Sequence, residues 1–354
     1  MSGNFRTIDL FSGCGGMALG AELAGFHPAL AVDVDQTLSS SYFRNFPRSR
    51  HIAADLADVS GEELLREAGA RADILFGGPP CQAFSSIGKR DPLDPRRDLL
   101  SHFFRIVSEA QPMAFVMENV KGLAFKESKH LLDTALSNLN GNYTILGPLV
   151  FDASDFGAAT KRERLFVIGF KSQYVENVAI EDFNAERAPL TTVQEAIADL
   201  GEARSLGIES GYDQWQLTDS RSLSQYAAAM RSADATTTGL KPTNHTVEVV
   251  ERFALVQQGA IDKVGRHPRL SWSGLCPTLR AGTGADRGSY QSVRPIHPTE
   301  NRVITPREGA RLQGFPDRFL FHPTVWHSFR MIGNSVSPIM AKSIFSVLRR
   351  KMEI

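Results

Sequence analysis

Residues 7–20, TIDLFSGCGGMALG, join a short apolar run to a glycine-rich turn and a helix-like segment. The run Thr7–Phe11 predicts a strand, and Met17–Ala24 predicts a helix. Glycines between the two let the backbone pass close to a ligand. Asp33 ends the next predicted strand, twenty residues after Gly13, where a carboxylate can accept hydrogen bonds from ribose hydroxyls. The loop predicts a site for an adenosine-containing cofactor. It does not separate a nicotinamide dinucleotide from S-adenosylmethionine, and a tight turn without any ligand also fits it.

Beyond this loop, strand-like and helix-like segments alternate over the first ~170 residues, the pattern of βα units. Further strands are predicted at Ala29–Val34, Ala72–Phe76, Ala114–Met117, Tyr143–Val150 and Leu165–Phe170. The pattern predicts an α/β fold, with a doubly wound, mostly parallel sheet and helices on both faces. In such sheets ligands bind at the carboxyl ends of the strands, and the punctuated motifs of this chain fall there.

The character of the chain changes after about Lys171, where segments become short, polar and aperiodic. Thr191–Leu200 predicts one helix, and Thr305–Gln313 predicts a capped helix with Pro306 at its first position. A last helix is predicted at about Pro338–Arg349. We expect a first domain over residues 1–188, completed by 329–354, and a smaller, irregular domain over 189–328.

Composition excludes several classes of protein. The chain has 354 residues, of which 42% are hydrophobic and 22% charged, as in ordinary globular proteins. No run approaches the ~20 apolar residues of a membrane helix, and Met1–Thr7 has no apolar signal core, so we expect a cytosolic protein. The three cysteines have neither a disulfide framework nor zinc-ligand spacing, so no metal site is predicted.

Charge is balanced over the whole chain, with a formal net charge of zero, but not within it. Residues 261–320 hold ten Lys/Arg against five Asp/Glu. This local excess fits a surface that binds a polyanion, and it fits an ordinary solvated arginine-rich surface equally well.

Cys81 stands in the segment Gly77–Ser85, GGPPCQAFS. Two prolines fix the backbone as it leaves a predicted strand, so the cysteine that follows has a defined position at the sheet edge. Such a setting can lower the pKa of a thiol and make it nucleophilic, whereas an isolated cysteine is more often a small buried apolar residue. The polar segment Ser86–Arg97 predicts a lid over a substrate, or a plain surface loop.

Glu118 ends another predicted strand, in Met117–Val120, MENV. A carboxylate at the sheet edge near the cysteine can act as a general acid if burial raises its pKa. A hydrogen-bonded structural glutamate fits the same pattern.

Taken together, these segments resemble the DNA (cytosine-5) methyltransferase family, in its motif order and over nearly the whole chain. The matching segments are Asp9–Gly16, Gly78–Ser85, Glu118–Val120, Lys161–Arg164, Arg302–Pro316 and Gly333–Val336. Thr160 stands where the family usually has glutamine, Asp33 where many members have glutamate, and Val34 where some carry an aromatic residue. Asp55 follows Ala54, where glycine is common. None of these departures removes a group that the chemistry needs.

The resemblance implies the fold of S-adenosylmethionine-dependent methyltransferases and a covalent mechanism. It implies that Cys81 attacks carbon 6 of a flipped-out cytosine, while Glu118 holds or protonates N3. Carbon 5 then takes the methyl group, a base removes its proton, and Cys81 leaves by β-elimination. Arg164 and Arg162 would contact the base oxygen and phosphates.

The resemblance also implies binding residues. Those for the cofactor, S-adenosylmethionine, would be Phe11, Gly13, Cys14, Gly15, Gly16, Asp33, Val34, Asp55, Leu56, Gly78, Pro80, Asn334, Ser335 and Val336. Those for double-stranded DNA would include Ser85, Lys89, Arg90, Arg97 and Arg280, the irregular domain being the target-recognition domain that reads base edges. Within that domain Trp272, residues 278–280 and residues 282–284 are further candidates, although Trp272 fits a core position equally well.

Three alternatives remain at this point. In the transfer-RNA branch of the same family a Cys-Phe-Thr signature is expected, whereas Cys276 is followed by Pro277-Thr278. A nicotinamide-dependent oxidoreductase would leave Cys81 and Glu118 unused, and a catalytically silent DNA-binding relative would not need them. By analogy we expect a monomeric bacterial modification enzyme of a restriction–modification system, located in the cytoplasm on the nucleoid DNA.

Overall fold

The computed structural model describes residues 5–80, 98–139, 141–218, 223–282 and 293–352. The chain divides into two compact units. Unit 1 comprises residues 1–152, 163–187 and 340–354, and unit 2 comprises residues 153–162 and 188–339.

The described helices and strands follow the alternation that the sequence predicts. The strands are β1 Arg6–Leu10, β2 His27–Val32, β3 Arg50–Ile52, β4 Ile74–Gly77, β5 Ala114–Asn119, β6 Thr144–Asp152, β7 Glu163–Phe170, β8 Arg204–Glu209, β9 Tyr212–Gln216 and β10 Thr236–Thr238. The helices are α1 Gly16–Leu23, α2 Tyr42–Asn45, α3 Gly61–Glu67, α4 Asp98–Ala110, α5 Lys126–Leu136, α6 Ile180–Asn184, α7 Val193–Ile197, α8 Gln225–Met230, α9 Val247–Ala254, α10 Pro306–Gln313, α11 Val325–Asn334 and α12 Pro338–Met352.

The core of unit 1 is a seven-stranded sheet in the order β3-β2-β1-β4-β5-β7-β6. The first five strands are parallel, whereas β7 pairs antiparallel with both β5 and β6. The predicted doubly wound, mostly parallel sheet is therefore confirmed. In register, Leu10 lies beside Gly77 and Gly77 beside Met117, so β1, β4 and β5 end at one edge.

The central strands are apolar because both faces of a parallel sheet are buried. Ile8, Leu75 and Phe115 are fully buried, and Phe103 and Phe104 of α4 contact the ring of Phe115. Burying each such side chain stabilises the fold by about 1.5–3 kcal/mol. This packing gives the strand ends a rigid base on which to hold polar groups.

Unit 2 contains a small antiparallel sheet, β10-β9-β8, and a series of helices. Helix α10 begins as predicted: the Thr305 hydroxyl accepts from the Glu308 amide, Glu308 bonds the Thr305 amide in return, and Pro306 follows the cap. The helix ends at Gly314, which has φ 94°, a conformation that glycine adopts without strain. No helix in the described residues is long and apolar enough to cross a membrane.

Candidate active site

The glycine loop between β1 and α1 has the unusual backbone that its sequence indicates. Phe11, Gly13 and Gly15 all have positive φ. A Cβ on Gly15 would overlap the rings of Phe46 and Tyr42, so only glycine fits there. A Cβ on Gly13 would meet nothing within 4 Å. The loop therefore leaves open space beside its backbone at Gly13, where a ligand can approach closely.

Asp33, just after β2, fixes this loop. Its carboxylate accepts hydrogen bonds from the amides of Gly13 and Asp35, each at 2.7 Å. Burial raises the pKa of Asp33, and the two amide bonds oppose that rise. Because each carboxylate oxygen accepts more than one bond, Asp33 can still receive ribose hydroxyls. The following residue, Val34, is 67% exposed and presents an aliphatic surface.

Asp9 is a polar group at this loop to which the sequence analysis gave no role. It lies near the end of β1, is buried, and its Oδ2 has no hydrogen-bond partner among the described residues. Burial, and secondly the charge of Asp33, raise its pKa well above the usual range. The sequence did contain a signal for this residue, because Asp9 is the charged residue in an otherwise apolar predicted strand that leads into the glycine loop. A buried oxygen with unused bonding capacity beside an open cradle fits a polar cofactor.

The remaining predicted cofactor residues divide between the two units. In unit 1, Cys14, Gly16 and Leu56 are buried, Asp55 accepts from the Ala57 amide at 2.9 Å, and Gly78 and Pro80 follow β4. In unit 2, Asn334 is exposed at the end of α11, Ser335 donates to the carbonyl of Met331, and Val336 is buried.

A carboxylate–guanidinium pair occupies the edge of the sheet in unit 1. Glu118 is the penultimate residue of β5, and its Oε1 lies 2.9 Å from Nε of Arg164 on β7. Both side chains are largely buried. The antiparallel pairing of β5 with β7 places Glu118 beside Phe166 and so brings Arg164 within reach. The structure thus brings together two of the four predicted catalytic residues.

The turn after β4 is bound to the same edge. The side-chain Nδ2 of Asn119 donates to the carbonyl of Pro79 at 3.1 Å, and the side-chain oxygen of Asn119 accepts from the backbone amide of Val120. A Cβ on Gly78 would lie 2.7 Å from Oε2 of Glu118. Glycine at 78 therefore leaves the space that the Glu118 carboxylate occupies.

Several predicted residues lie outside the described part of the chain: Cys81, Ser85, Lys89, Arg90 and Arg97. The other two cysteines are buried. Burial raises the pKa of the Cys276 thiol to about 12, so Cys276 does not supply a thiolate near neutral pH.

Arg162 has surroundings different from those of Arg164. It is fully buried in unit 2, where its terminal nitrogens donate to the carbonyls of Leu279 and Gly333 at 3.1 and 2.7 Å. Thr160, two residues earlier, bonds the carbonyl of Cys276. Arg162 thus joins three segments of unit 2 and has the contacts of a positioning residue.

The basic region at residues 261–320 requires a correction. Four of its ten cations, Arg269, Arg302, Arg307 and Arg311, bond carbonyl oxygens or carboxylates inside unit 2. Arg307, for example, donates to the carbonyls of Thr238, Pro316 and Phe319. The interpretation of the whole excess as a polyanion surface is wrong for these residues, because their positive charges serve internal contacts. Exposed cations in the described part of this region are Lys263, Arg266, Arg280 and Arg318.

The other recognition candidates have internal contacts as well. The ring of Trp272 lies 5.3 Å from that of His297 in an edge-to-face arrangement, and the Thr278 hydroxyl donates to the carbonyl of Lys161. Gly282 is described, whereas residues 283 and 284 are not. No cluster of three or more His, Cys, Asp or Glu suited to a metal ion occurs among the described residues.

Comparison with known proteins gives a consistent result. The model of the family described as C-5 cytosine-specific DNA methylase matches residues 5–350. Type II methyltransferase M.XorII of Xanthomonas oryzae pv. oryzae is 40% identical over 98% of this chain and 86% of its own length. Type II methyltransferase M.DdeI of Desulfomicrobium norvegicum is 32% identical over 95% of this chain and 86% of its own length.

Solved structures agree. One described as a DNA modification methyltransferase encoded within an E. coli prophage has a TM-score of 0.86 and 37% identity, and the match covers 99% of this chain and 100% of that one. S. pombe Dnmt2 methyltransferase has a TM-score of 0.66 at 18% identity, over 99% of this chain and 100% of its own, and this likeness concerns the fold alone.

Proposed function

The chain belongs to the C-5 cytosine-specific DNA methylase family, and on this premise we propose a specific reaction for it. The enzyme transfers a methyl group from S-adenosylmethionine to carbon 5 of a cytosine within a short, specific sequence of double-stranded DNA. The target base must leave the helix to reach a side chain at the sheet edge.

The observation that carries the proposal is the Glu118–Arg164 pair, 2.9 Å apart, beside Gly78 at the end of β4. Glu118 would hold N3 of the flipped base, and Arg164 would both orient that carboxylate and contact the base oxygen. Charged partners in a largely buried pair act more strongly than in water, so the pair can stabilise charge that develops on the ring.

Cys81 would be the nucleophile that adds to carbon 6. It follows Pro79-Pro80, and Pro79 is bound to Asn119, the neighbour of Glu118. The high pKa of Cys276 and the burial of Cys14 leave Cys81 as the candidate thiolate. Addition at carbon 6 makes carbon 5 nucleophilic. After methyl transfer, loss of the carbon 5 proton lets Cys81 leave by β-elimination.

The cofactor would be held in unit 1 by the glycine loop and by Asp33, whose remaining lone pairs suit ribose hydroxyls, together with Asp55 and Leu56. When bound, S-adenosylmethionine supplies the electrophilic methyl group. Asp9, with its buried and unpartnered Oδ2, supports a polar ligand at this loop. We assign Arg162 to positioning because its guanidinium bonds two carbonyls and is fully buried.

The biological role that fits best is the modification half of a restriction–modification system, since the relatives are named type II methyltransferases of bacteria. We propose a monomer that acts on bacterial DNA in the cytoplasm. Residues of the target-recognition domain, Arg280 among them, would read the sequence.

The test is to incubate unmethylated plasmid DNA with the purified protein and S-adenosylmethionine, followed by bisulfite sequencing. We expect 5-methylcytosine at one short sequence with the natural protein and none with Cys81→Ser. Duplexes containing 5-fluorocytosine should trap the natural protein covalently and leave Cys81→Ser untrapped. Absence of methylation on DNA by the natural protein would overturn the proposal, and transfer RNA would then be assayed as substrate.

A further inference from the structure

A short hairpin in unit 2 presents two cations that the internal network of arginines does not use. Its tip comprises residues 262–267, DKVGRH, and is called the cationic tip below. Ile261 and Pro268 form an antiparallel bridge, and the Asp262 amide donates to the carbonyl of His267 at 2.8 Å. A second bond, from the Arg269 amide to the carbonyl of Ala260, closes the base of the hairpin.

The cationic tip is anchored by a buried carboxylate. Asp262 is 2% exposed, and its Oδ2 accepts from the Gly265 amide at 2.7 Å. Its Oδ1 lies 3.1 Å from Nε of Arg252 on α9, which compensates the negative charge. The ring of His267 bonds the carbonyl of Arg294 and contacts Phe253 edge-to-face. The tip is therefore held in one shape before any ligand arrives.

Lys263 and Arg266 extend from this anchored turn. Both are exposed, and the side chain of neither forms a hydrogen bond or ion pair with any part of the chain that the structure describes. Arg266 has φ 60°, a left-handed conformation that costs a non-glycine residue about 1–2 kcal/mol. Val264, between them, is 72% exposed. A strained backbone that holds a cation toward solvent indicates a contact made with something outside the chain.

We propose that the cationic tip binds the phosphate backbone of duplex DNA, with Lys263 and Arg266 as the phosphate-binding residues. This rests on the proposed function, because it takes DNA as the substrate. Charge complementarity carries it: Arg252 neutralises Asp262, so the tip presents two positive charges to a polyanion. Four other arginines of the region are occupied by internal contacts and do not compete for this role.

The test measures the affinity of the full chain for two DNA duplexes at several salt concentrations. One duplex contains the sequence that the protein is found to methylate, and the other has an unrelated sequence. The variants are Lys263→Ala, Arg266→Ala, Arg266→Gly and the double alanine variant, with Arg48→Ala in unit 1 as control for loss of an exposed cation. Arg266→Gly suits the left-handed backbone and removes only the charged side chain. Thermal unfolding is recorded for each variant, so that any loss of fold is detected separately.

Each lost phosphate contact should weaken binding about fivefold at ~0.15 M salt. It should also make the slope of log affinity against log salt less negative by about 0.9. The loss should be equal on both duplexes, and Arg266→Gly should match Arg266→Ala. The Arg48→Ala protein should bind as the natural protein does.

Unchanged affinity in the double variant, in a protein that still methylates DNA, would overturn the role of the tip and leave the proposed function intact. A loss confined to the target sequence would also overturn it, because it would indicate base reading instead of phosphate binding. If the natural protein neither methylates nor binds duplex DNA, the proposed function fails, and the tip proposal fails with it.

Discussion

At the scale of single residues, the position of the Glu118 carboxylate depends on the lack of a side chain at Gly78. Gly78 directly follows β4 and Glu118 lies in β5, and a Cβ at position 78 would lie 2.7 Å from a Glu118 carboxylate oxygen. Because Arg164 holds the other oxygen at 2.9 Å, the carboxylate can move away from an added Cβ only by changing its position relative to Arg164. Position 78 thus controls where the candidate acid lies.

Gly78→Ala should therefore lower kcat/KM for methyl transfer by about 10- to 100-fold, since a displacement near 1 Å of a catalytic group has effects of that order. The free energy of unfolding should change by less than ~1 kcal/mol, because the residue can yield at a partly exposed edge. Gly201→Ala is the matched control, since a Cβ there meets nothing within 4 Å. Equal kinetics for the two variants would contradict the assigned position of Glu118.

Asp9 makes a second prediction, on pH. Burial raises its pKa in the folded protein, whereas in the unfolded chain it titrates near 3.9. The folded state thus binds the proton more tightly, so the contribution of Asp9 to stability is complete below the unfolded pKa and falls as pH rises through the folded pKa. Asp9→Asn lacks that titration and resembles the neutral acid in shape.

The melting temperature of Asp9→Asn relative to the natural protein should accordingly rise as pH goes from about 4 to 8. Differential scanning calorimetry over this range measures it, with Asp133→Asn on α5 as an exposed control for the loss of one carboxylate. A difference that stays constant with pH would show that Asp9 does not titrate differently on folding.

At the scale of elements, helix α10 is stabilised by ion pairs inside unit 2. Arg311 is fully buried and forms two bonds to Asp317, at 2.6 and 2.7 Å, and two to Asp199, at 3.2 and 3.3 Å. Replacing one partner of a buried pair leaves an uncompensated charge. Arg311→Met should lower the free energy of unfolding by about 3–5 kcal/mol, measured by urea denaturation.

Arg318→Met removes the same charge from an exposed position seven residues later and should change the free energy of unfolding by less than ~0.5 kcal/mol. Similar values for the two variants would mean that α10 does not depend on its buried pairs.

The same helix shows what sequence reveals and what it does not. The start of α10 was predictable because Thr305, Pro306 and Glu308 carry a local capping signal. The internal use of Arg307 and Arg311 was not, since their partners Phe319, Asp199 and Thr238 depend on tertiary contacts. A count of Lys and Arg indicates a polyanion-binding surface only if their side chains are exposed. Buried arginines such as Arg307 and Arg311 instead bind groups inside the protein.

The strands were predictable to a similar degree. Central strands such as β4 and β5 are short apolar runs, which sequence detects readily. Strand β8 was missed because all of its residues are exposed, so no buried face leaves an apolar pattern. The Glu118–Arg164 pair joins positions 46 residues apart; each residue was predicted from its motif, and the antiparallel pairing that joins them depends on the fold.

At the scale of the whole chain, unit 1 combines segments that are far apart in sequence, because residues 340–354 belong to it together with residues 1–152 and 163–187. Helix α12 packs on residues that lie far earlier in the chain: Phe345 contacts Phe26 and Phe76, which precede it by 319 and 269 residues, with ring centroids 5.9 and 4.9 Å apart. Gly20 of α1 lies against Ala341 so closely that a Cβ would overlap it, and Arg349 bonds the carbonyl of Gly25 at 2.7 Å. The sheet that carries Glu118 is therefore packed against α12 through Phe76 of β4.

Phe345→Ala should consequently destabilise the protein by about 3–5 kcal/mol, the cost of truncating a buried aromatic side chain, although Phe345 touches none of the proposed catalytic residues. Phe43→Ala, at a position 56% exposed, is the control and should have an effect below ~1 kcal/mol. Both are measured by denaturant unfolding, with methyl transfer assayed at a temperature where each variant is folded. The truncation weakens the packing of α12 on Phe26 and Phe76 but leaves Glu118 and Arg164 in place. The kcat at that temperature should therefore stay within about twofold of the natural value. A large loss of kcat in a folded Phe345→Ala protein would mean that α12 also positions the active site.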